Sequence, residues 1–368
     1  MSQFLLIGAG VIGLASAVRL LKEGFTVTVL EKGEAGQESS WAGGGILSPL
    51  TPWDYSGPVT QLADYSTSIY SKWVNELLLS TKIDAEFNEC GMLVLPPYDS
   101  VKADQWCISH NIKREISQNS FLDTIHQSIL ESAIFLPHVA QVRNPRLLTA
   151  LQSEVIKRGG IIKEYCEVRA INLKNKSVVS ISTTDSSYSA DGYIVTAGAW
   201  SREILGKYAL NLNINPMRGQ MLLYKFETPP FTSIFLQEEL YLIPRLDGHL
   251  LIGSTMEDVG FNKQITQAAY NKLYKKASQL LPGIATKPLV NHWAGLRPAS
   301  PHNIPTIGRH PEISNLFINS GHFRYGVTMA PGSAEILLNE IMEKPQPFDI
   351  SPYQKGWSQL DKIDFPKI

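Results

Sequence analysis

Cysteine is scarce in this chain. Its 368 residues hold three, Cys90, Cys107 and Cys166, odd in number and without C-x-x-C spacing. That excludes a disulfide framework and a thiolate zinc site, and it fits reduced thiols in a cytoplasm. Metal-ligand patterns are also missing: the eight histidines include no H-E-x-x-H or similar cluster. Neither charge sign dominates. A formal net charge of -1 gives no electrostatic argument for nucleic acid or an anionic membrane. Beyond the N-terminal stretch, no apolar run approaches the length of a membrane span. Internal repeats and low-complexity tracts are absent by eye. What remains, 43% hydrophobic and 18% charged, is ordinary for a soluble globular enzyme, and the length suggests two intertwined domains.

The chain is organised around its start, FLLIGAGVIGLASAVRLLKEGFTVTVLE, Phe4 to Glu31. Phe4–Ile7 reads as a buried parallel strand. Gly8, Gly10 and Gly13 follow in G-x-G-x-x-G spacing, with Val11 and Ile12 at the start of the helix they open. That helix runs to Glu23, with Val11, Leu14, Val18 and Leu21 on one face, and Gly24 stops it. Thr26–Leu30 is a second strand, and Glu31 ends it. Gly8 permits the tight turn, Gly10 lets backbone approach a pyrophosphate, and Gly13 lets helix and strand pack closely. The helix N-terminus aims unpaired N–H groups at phosphates. Glu31 accepts from a ribose 2′-hydroxyl, which disfavours a 2′-phosphorylated cofactor. A secretory leader would also be apolar here, and Ala15-Ser16-Ala17 resembles a cleavage site, but Met1-Ser2-Gln3 carries no Lys or Arg.

Ser39-Ser40-Trp41-Ala42-Gly43-Gly44-Gly45-Ile46 reads as a loop whose backbone lies against a flat cofactor ring. Val59–Leu79 predicts a long amphipathic core helix, Met92–Leu95 a short strand ended by Pro96-Pro97, and the stretch to about Val139 mixed helix and strand. A helix with Leu147, Leu148, Leu151 and Val155 ends at Gly159-Gly160. Strands are expected at Ile161–Ile171 and Val178–Thr183. Then Asp191 to Ser201 gives a strand ending in small residues, Thr196-Ala197-Gly198, that abut a cofactor. Met221–Phe226, Leu240–Ile243 and Leu250–Ile252 are strand-like, with Asp247-Gly248 as a two-residue hairpin turn and a helix at Thr266–Leu281. The tail carries HWAGLRP, IPTIG, the strand Leu316–Ser320, GHFRYGV and a helix at Ser333–Glu343.

These motifs, GAGVIG with Glu31, SSWAGGG, TAGAWS, RGQ at Arg218 to Gln220, LYLIPR, WAGLRP, P-T-IG and GHFRYG, resemble over nearly the whole chain the FAD-dependent D-amino acid oxidase superfamily, and within it the glycine oxidases of thiamine biosynthesis. WAGLRP with GHFR at this separation is far more specific than GAGVIG. The resemblance implies an α/β (α+β overall) fold. A glutathione-reductase-like FAD-binding Rossmann domain, 1–80, 143–215 and 291–368, would receive an inserted, mainly antiparallel β substrate domain, 81–142 and 216–290. It implies noncovalent FAD; no His or Cys stands in an evident flavin-attachment position. Cofactor contacts are expected from Gly8, Gly10, Val11, Ile12, Gly13 and Glu31, and from Ser39, Ser40, Ala42, Gly43, Gly44 and Gly45. Further ones come from Val168 through its backbone, from Ala197, Gly198 and Trp200, and from Arg297 and the run His322, Phe323, Arg324, Tyr325, Gly326 and Val327. The family frequently has asparagine where this chain has Tyr325.

The same resemblance makes Arg297 the clamp on a substrate carboxylate, Tyr241 its hydroxyl partner, Arg324 a further active-site arginine and Met256 a pocket-lining residue. A guanidinium matches a carboxylate bidentately, which agrees independently. His322 and His292 are read as structural, and no catalytic base is assigned, because a flavin that abstracts hydride needs none. The implied activity is oxidation of glycine, sarcosine and small D-amino acids to the imine with hydrogen peroxide from molecular oxygen. Expected partners are the small amino acid, oxygen, thiazole synthase as recipient of the imine, and a second copy of the chain in a homo-oligomer. A dehydrogenase that passes electrons to a quinone and a non-catalytic flavin-binding module stay open as alternatives.

Overall fold

The computed structural model describes residues 2–112 and 132–358. It opens with β1 (Gln3–Ile7), α1 (Val11–Lys22) and β2 (Thr26–Leu30), the two strands parallel with Gln3 opposite Thr26 and Ile7 opposite Leu30. Four of five residues in each strand are buried, as strands covered on both faces require. A helical turn α2 (Ser39–Ala42), the long α3 (Gly57–Thr81), β3 (Met92–Leu95), α4 (Ser100–Ser109) and β4 (Ile134–Leu136) follow. Helix α5 (Asn144–Lys157) leads to β5 (Ile161–Lys163), β6 (Val168–Lys174), β7 (Ser177–Thr183) and β8 (Ser187–Tyr188), then to β9 (Gly192–Val195) and α6 (Ser201–Leu205). The second half supplies β10 (Asn215–Lys225), β11 (Ile234–Gln237), β12 (Leu240–Pro244), β13 (His249–Gly253), α7 (Gln267–Leu280) and β14 (Leu289–Ala299). It closes through β15 (Thr306–Arg309), β16 (Leu316–Ser320) and α8 (Gly326–Ile341).

Two large sheets carry the fold, in the α/β arrangement expected. One has the order β15-β16-β9-β1-β2-β5 and is parallel except at its β15 edge. The other, β14-β10-β13-β12-β11-β3-β4, is antiparallel except where β3 meets β11. A small meander, β6-β7-β8, stands apart. Leu14, Val18, Leu62, Leu147, Leu151 and Met329 bring α1, α3, α5 and α8 into one core against the parallel sheet. Leu273, Ala277 and Leu280 of α7 cover Leu222, Leu242 and Ile252 of the antiparallel sheet. Helix α8 tolerates Pro331 because α3 serves the backbone groups around it. Tyr70 donates to the Val327 carbonyl, and Ser66 Oγ donates to Thr328 O while accepting from Gly332 N.

The structure departs from the sequence reading at several places. Ile161–Ile171 is not one strand; the chain turns at 164–167 and its halves join different sheets. The closing helix begins at Gly326 rather than Ser333, since helix–helix packing overrides the cost of Gly332 and Pro331. Ser39–Ala42 forms a helical turn before the glycines. Asp247-Gly248 is not a two-residue turn: Gly248 N donates to Arg245 O, so Leu246-Asp247 are central and Gly248, at φ 85°, takes the left-handed position that follows. Strands β11 and β14 were not expected. Because β14 pairs with β10 from Asn215/Ala299 to Tyr224/Leu289, a boundary at 291 falls inside an element of the antiparallel sheet. The mixed structure expected up to Val139 falls partly at 113–131, outside the described residues.

Candidate active site

The carboxyl ends of β1, β2 and β9 open into a cavity of about 480 Å³, the position where ligands sit in doubly wound sheets. Gly8 and Gly13 are glycine for packing. A Cβ on Gly8 would lie 2.6 Å from the Thr196 carbonyl oxygen, and one on Gly13 would lie 2.0 Å from Gly8 O. Gly10 differs: only Ser40 Oγ comes near its would-be Cβ, at 3.1 Å, and Gly10 lines the cavity. Helix α1 has no acid in its first turn; Ser40 Oγ accepts from Val11 N at 2.9 Å. Glu31 is buried, its carboxylate accepting from Ala9 N at 2.8 Å and Gly33 N at 3.2 Å while still lining the cavity. Nearby, the Lys32 ammonium lies 3.2 Å from the centroid of the Trp200 ring, and Glu38 pairs with Lys263 at 3.0 Å. Burial pulls the Lys32 pKa down against the pull of Glu38 and Glu31.

The opposite wall comes from the antiparallel sheet. Arg297, on β14, donates to Thr255 O at 3.1 Å and to Ser254 Oγ at 2.5 Å, with the Tyr241 phenol beside it. Burial lowers its pKa and the charge of Arg324 adds to that, while Tyr241 opposes both; a guanidinium stays charged regardless. Arg324 donates to Met256 Sδ at 3.1 Å. Among the described residues, no carboxylate forms an ion pair with either arginine, although Lys and Arg side chains elsewhere pair freely. Two cations that face one cavity and have no carboxylate paired to either, among the described residues, leave charge available to an anionic group. Gly219 makes room for the Arg297 guanidinium, since a Cβ there would lie 2.2 Å from both of its terminal nitrogens.

Behind Arg297 lies a polar network. Thr255 Oγ1 accepts from Gln220 N at 2.9 Å and donates to Glu257 at 2.5 Å, and Glu257 also pairs with Arg218. Gln220 Nε2 donates to Glu257 at 2.8 Å, which fixes the amide. Its Oε1 therefore accepts from His292 Nε2 at 3.0 Å, placing that imidazole's proton on Nε2. His292 and His322 are both neutral, their pKa values lowered by burial, that of His322 to about 3. His322 is 1% exposed, and its Nε2 has no protein partner. Since its unfolded pKa is about 6.5, the unfolded chain binds more protons between pH 6.5 and 3, and stability falls as pH drops through that window. The melting temperature is therefore expected to fall from pH 7 to 4.5, and to fall less in His322→Gln; equal falls in both proteins would refute the assignment.

All the expected site residues line this cavity except Gly13, which serves packing, and Met256, which reaches it through Arg324. Tyr325 fills the place of the frequent asparagine with a buried ring that meets Tyr55 edge-on at 5.1 Å. Sequence reasoning missed Lys32, Asn144, Gly219 and Arg245. The only signal for Arg245 was a charge closing the apolar strand LYLIPR, and Gly219 stood in RGQ without a role.

A strand–glycine–helix unit opening into a cavity roofed by an antiparallel sheet defines a dinucleotide-dependent oxidoreductase. The chain belongs to the family DAO, FAD dependent oxidoreductase, which matches residues 3–339. It is 39% identical to a glycine oxidase of Pseudomonas aeruginosa over 95% of this chain and 98% of that one. A bifunctional protein ThiO/ThiG of Synechocystis is 29% identical over 93% of this chain, which spans 52% of that longer protein. Among solved structures, glycine oxidase from Geobacillus kaustophilus superposes with a TM-score of 0.89 at 25% identity, covering 96% of this chain and 98% of that one.

FAD is the cofactor, held noncovalently, and the cavity fits it. Glu31 presents a carboxylate for ribose hydroxyls, Gly10 leaves the α1 N-terminus open for a pyrophosphate, and Gly43–Gly45 form a wall without side chains for a flat ring.

Proposed function

We propose that the protein oxidises glycine, sarcosine and small D-amino acids at their Cα, with Arg297 and Tyr241 as the carboxylate clamp. The observation that carries this reading is Arg297 itself: a charged group lining the FAD cavity, oriented by Ser254 and Thr255, and without an acidic partner among the described residues. Bound FAD would supply a two-electron acceptor for a hydride from Cα, with molecular oxygen as the terminal oxidant and hydrogen peroxide as its product. The chain contributes position. Arg297 and Tyr241 fix the carboxylate, Tyr241 and Gly44 close the wall beside it, and one direction at Cα is left for a side chain. Burial lowers the His322 pKa to about 3, which makes it a poor acceptor for the amine proton. We further infer that the imine passes to a thiazole synthase, which agrees with the fused arrangement of the ThiO/ThiG relatives, and that the enzyme works as a cytoplasmic homo-oligomer. No helix of the described residues is long and apolar enough to cross a membrane.

The test is anaerobic bleaching of the flavin by glycine, sarcosine, D-alanine, D-proline and L-alanine, followed by peroxide yield in air. Glycine and sarcosine should bleach it fastest, D-alanine more slowly and L-alanine hardly at all. An extra methylene is worth about 1–3 kcal/mol, so the preference is graded. A bulky D-amino acid preferred over glycine by more than about tenfold overturns the glycine assignment. Bleaching without peroxide in air supports a quinone-linked dehydrogenase, and no bleaching supports a binding module.

A further inference from the structure

Arg245 is a buried cation next to the cofactor cavity that the proposed chemistry does not use. It is 5% exposed. Its guanidinium donates to Gln141 Oε1 at 2.7 Å, to Val142 O at 2.9 Å and to Gly44 O at 2.9 Å. The Gln141 amide is itself fixed, because its Nε2 donates to Pro244 O at 2.9 Å. Glu86 and Asp247, the nearby acids, are paired with Arg143 instead. Burial first, then the charge of Arg143, lowers the Arg245 pKa to about 10, and the side chain remains cationic at neutral pH. A second side chain acts on the same segment: Asn144 Nδ2 donates to Ser40 O at 2.8 Å and to Gly43 O at 3.0 Å.

These contacts decide which way the peptides face. Gly43, Gly44 and Gly45 line the cavity, whereas Gln141, Val142, Asn144 and Arg245 do not. The carbonyls of Gly43 and Gly44 are therefore held outward. Both peptides are trans, the cis bonds of the described chain being Pro96-Pro97 and Gly253-Ser254. In a planar trans peptide the N–H points opposite to the C=O. The N–H groups of Gly44 and Gly45 thus turn toward the cavity. A cation bonded to the Gly44 carbonyl polarises that peptide and strengthens the donor at its other end. Ile243 Cδ1 packs so close that a Cβ on Gly44 would lie 2.5 Å from it, which keeps this position glycine.

We propose that Arg245 is a positioning residue for FAD: it presents the Gly45 N–H to the bound cofactor and adds a fixed positive charge behind it. Two readouts on the purified protein test this: the dissociation constant of FAD from the apoprotein, and the midpoint potential of the bound flavin. In Arg245→Met, FAD should bind at least about tenfold more weakly, and the potential should fall because a charge that favours the electron-rich form is gone. Arg245→Lys keeps the charge but cannot bridge Gly44 O and Val142 O with a planar fork. It should weaken FAD binding by several-fold while holding the potential near that of the parent. A folded Arg245→Met with unchanged affinity and potential overturns the proposal. So does a potential that falls equally in both variants. If Arg245→Met does not fold, Arg245→Lys decides alone, and unchanged FAD affinity there overturns the proposal.

Discussion

Arg297→Ala should lose glycine turnover while keeping its yellow colour. The guanidinium is held by Thr255 O and Ser254 Oγ, and neither residue contributes to the cofactor end of the cavity around Gly10 and Glu31. FAD binding therefore survives. What disappears is a charge-assisted contact to a carboxylate in a partly desolvated site, worth about 2–5 kcal/mol. That corresponds to a fall of roughly 30- to 5,000-fold in kcat/KM for glycine. Tyr241 remains as a single neutral donor and cannot replace a bidentate cation. Steady-state kinetics with a flavin-to-protein ratio measured on the same sample checks both halves. A loss of less than about tenfold would make Arg297 structural and leave the carboxylate without a clamp.

The cofactor half of the molecule was legible because its signals are local. Gly8, Gly10, Gly13 and Glu31 lie within one unit, and the structure shows why the glycine at 13 cannot be anything else: Gly8 O occupies the space of its Cβ. The substrate half was legible only as motifs. LYLIPR pointed to Tyr241, yet the burial of Arg245 at its end depends on Gln141, Val142 and Gly44, which are distant in sequence and meet through chain crossings. Strand β14 was missed because its apolar residues do not alternate cleanly: its first half is exposed and its second half is buried against β10. The start of α8 was missed for a different reason. Gly332 and Pro331 argue locally against a helix, and only Ser66 and Tyr70 of α3 make them tolerable.

Gly219→Ala should behave like a partial Arg297→Ala, although it adds a single carbon. Gly219 sits on β10 opposite Gly295, in the strand pair that carries Arg297. An added Cβ would lie 2.2 Å from Nη1 and Nη2 and 2.3 Å from Cζ of Arg297. Real contacts do not occur at that distance, so one group must move. At Gly219 the β10 backbone pairs with β14 on one side, and its neighbours Arg218 and Gln220 bond to the backbone of Glu257 and Thr255 on the other, whereas the guanidinium is the far end of a flexible side chain. The arginine moves, and the sheet stays. The fold and FAD content should therefore match those of the parent, while the clamp shifts by an ångström or more away from Ser254 and Thr255. Misplacement on that scale costs about 100-fold in rate when it misaims a reacting bond. Glycine kcat/KM should fall by about that factor. The double variant Gly219→Ala/Arg297→Ala separates this account from general damage. If Gly219 acts only through Arg297, the two effects do not add, and the double variant is no slower than Arg297→Ala alone. Additive losses, or loss of FAD from Gly219→Ala, would show that the glycine serves the sheet and not the clamp.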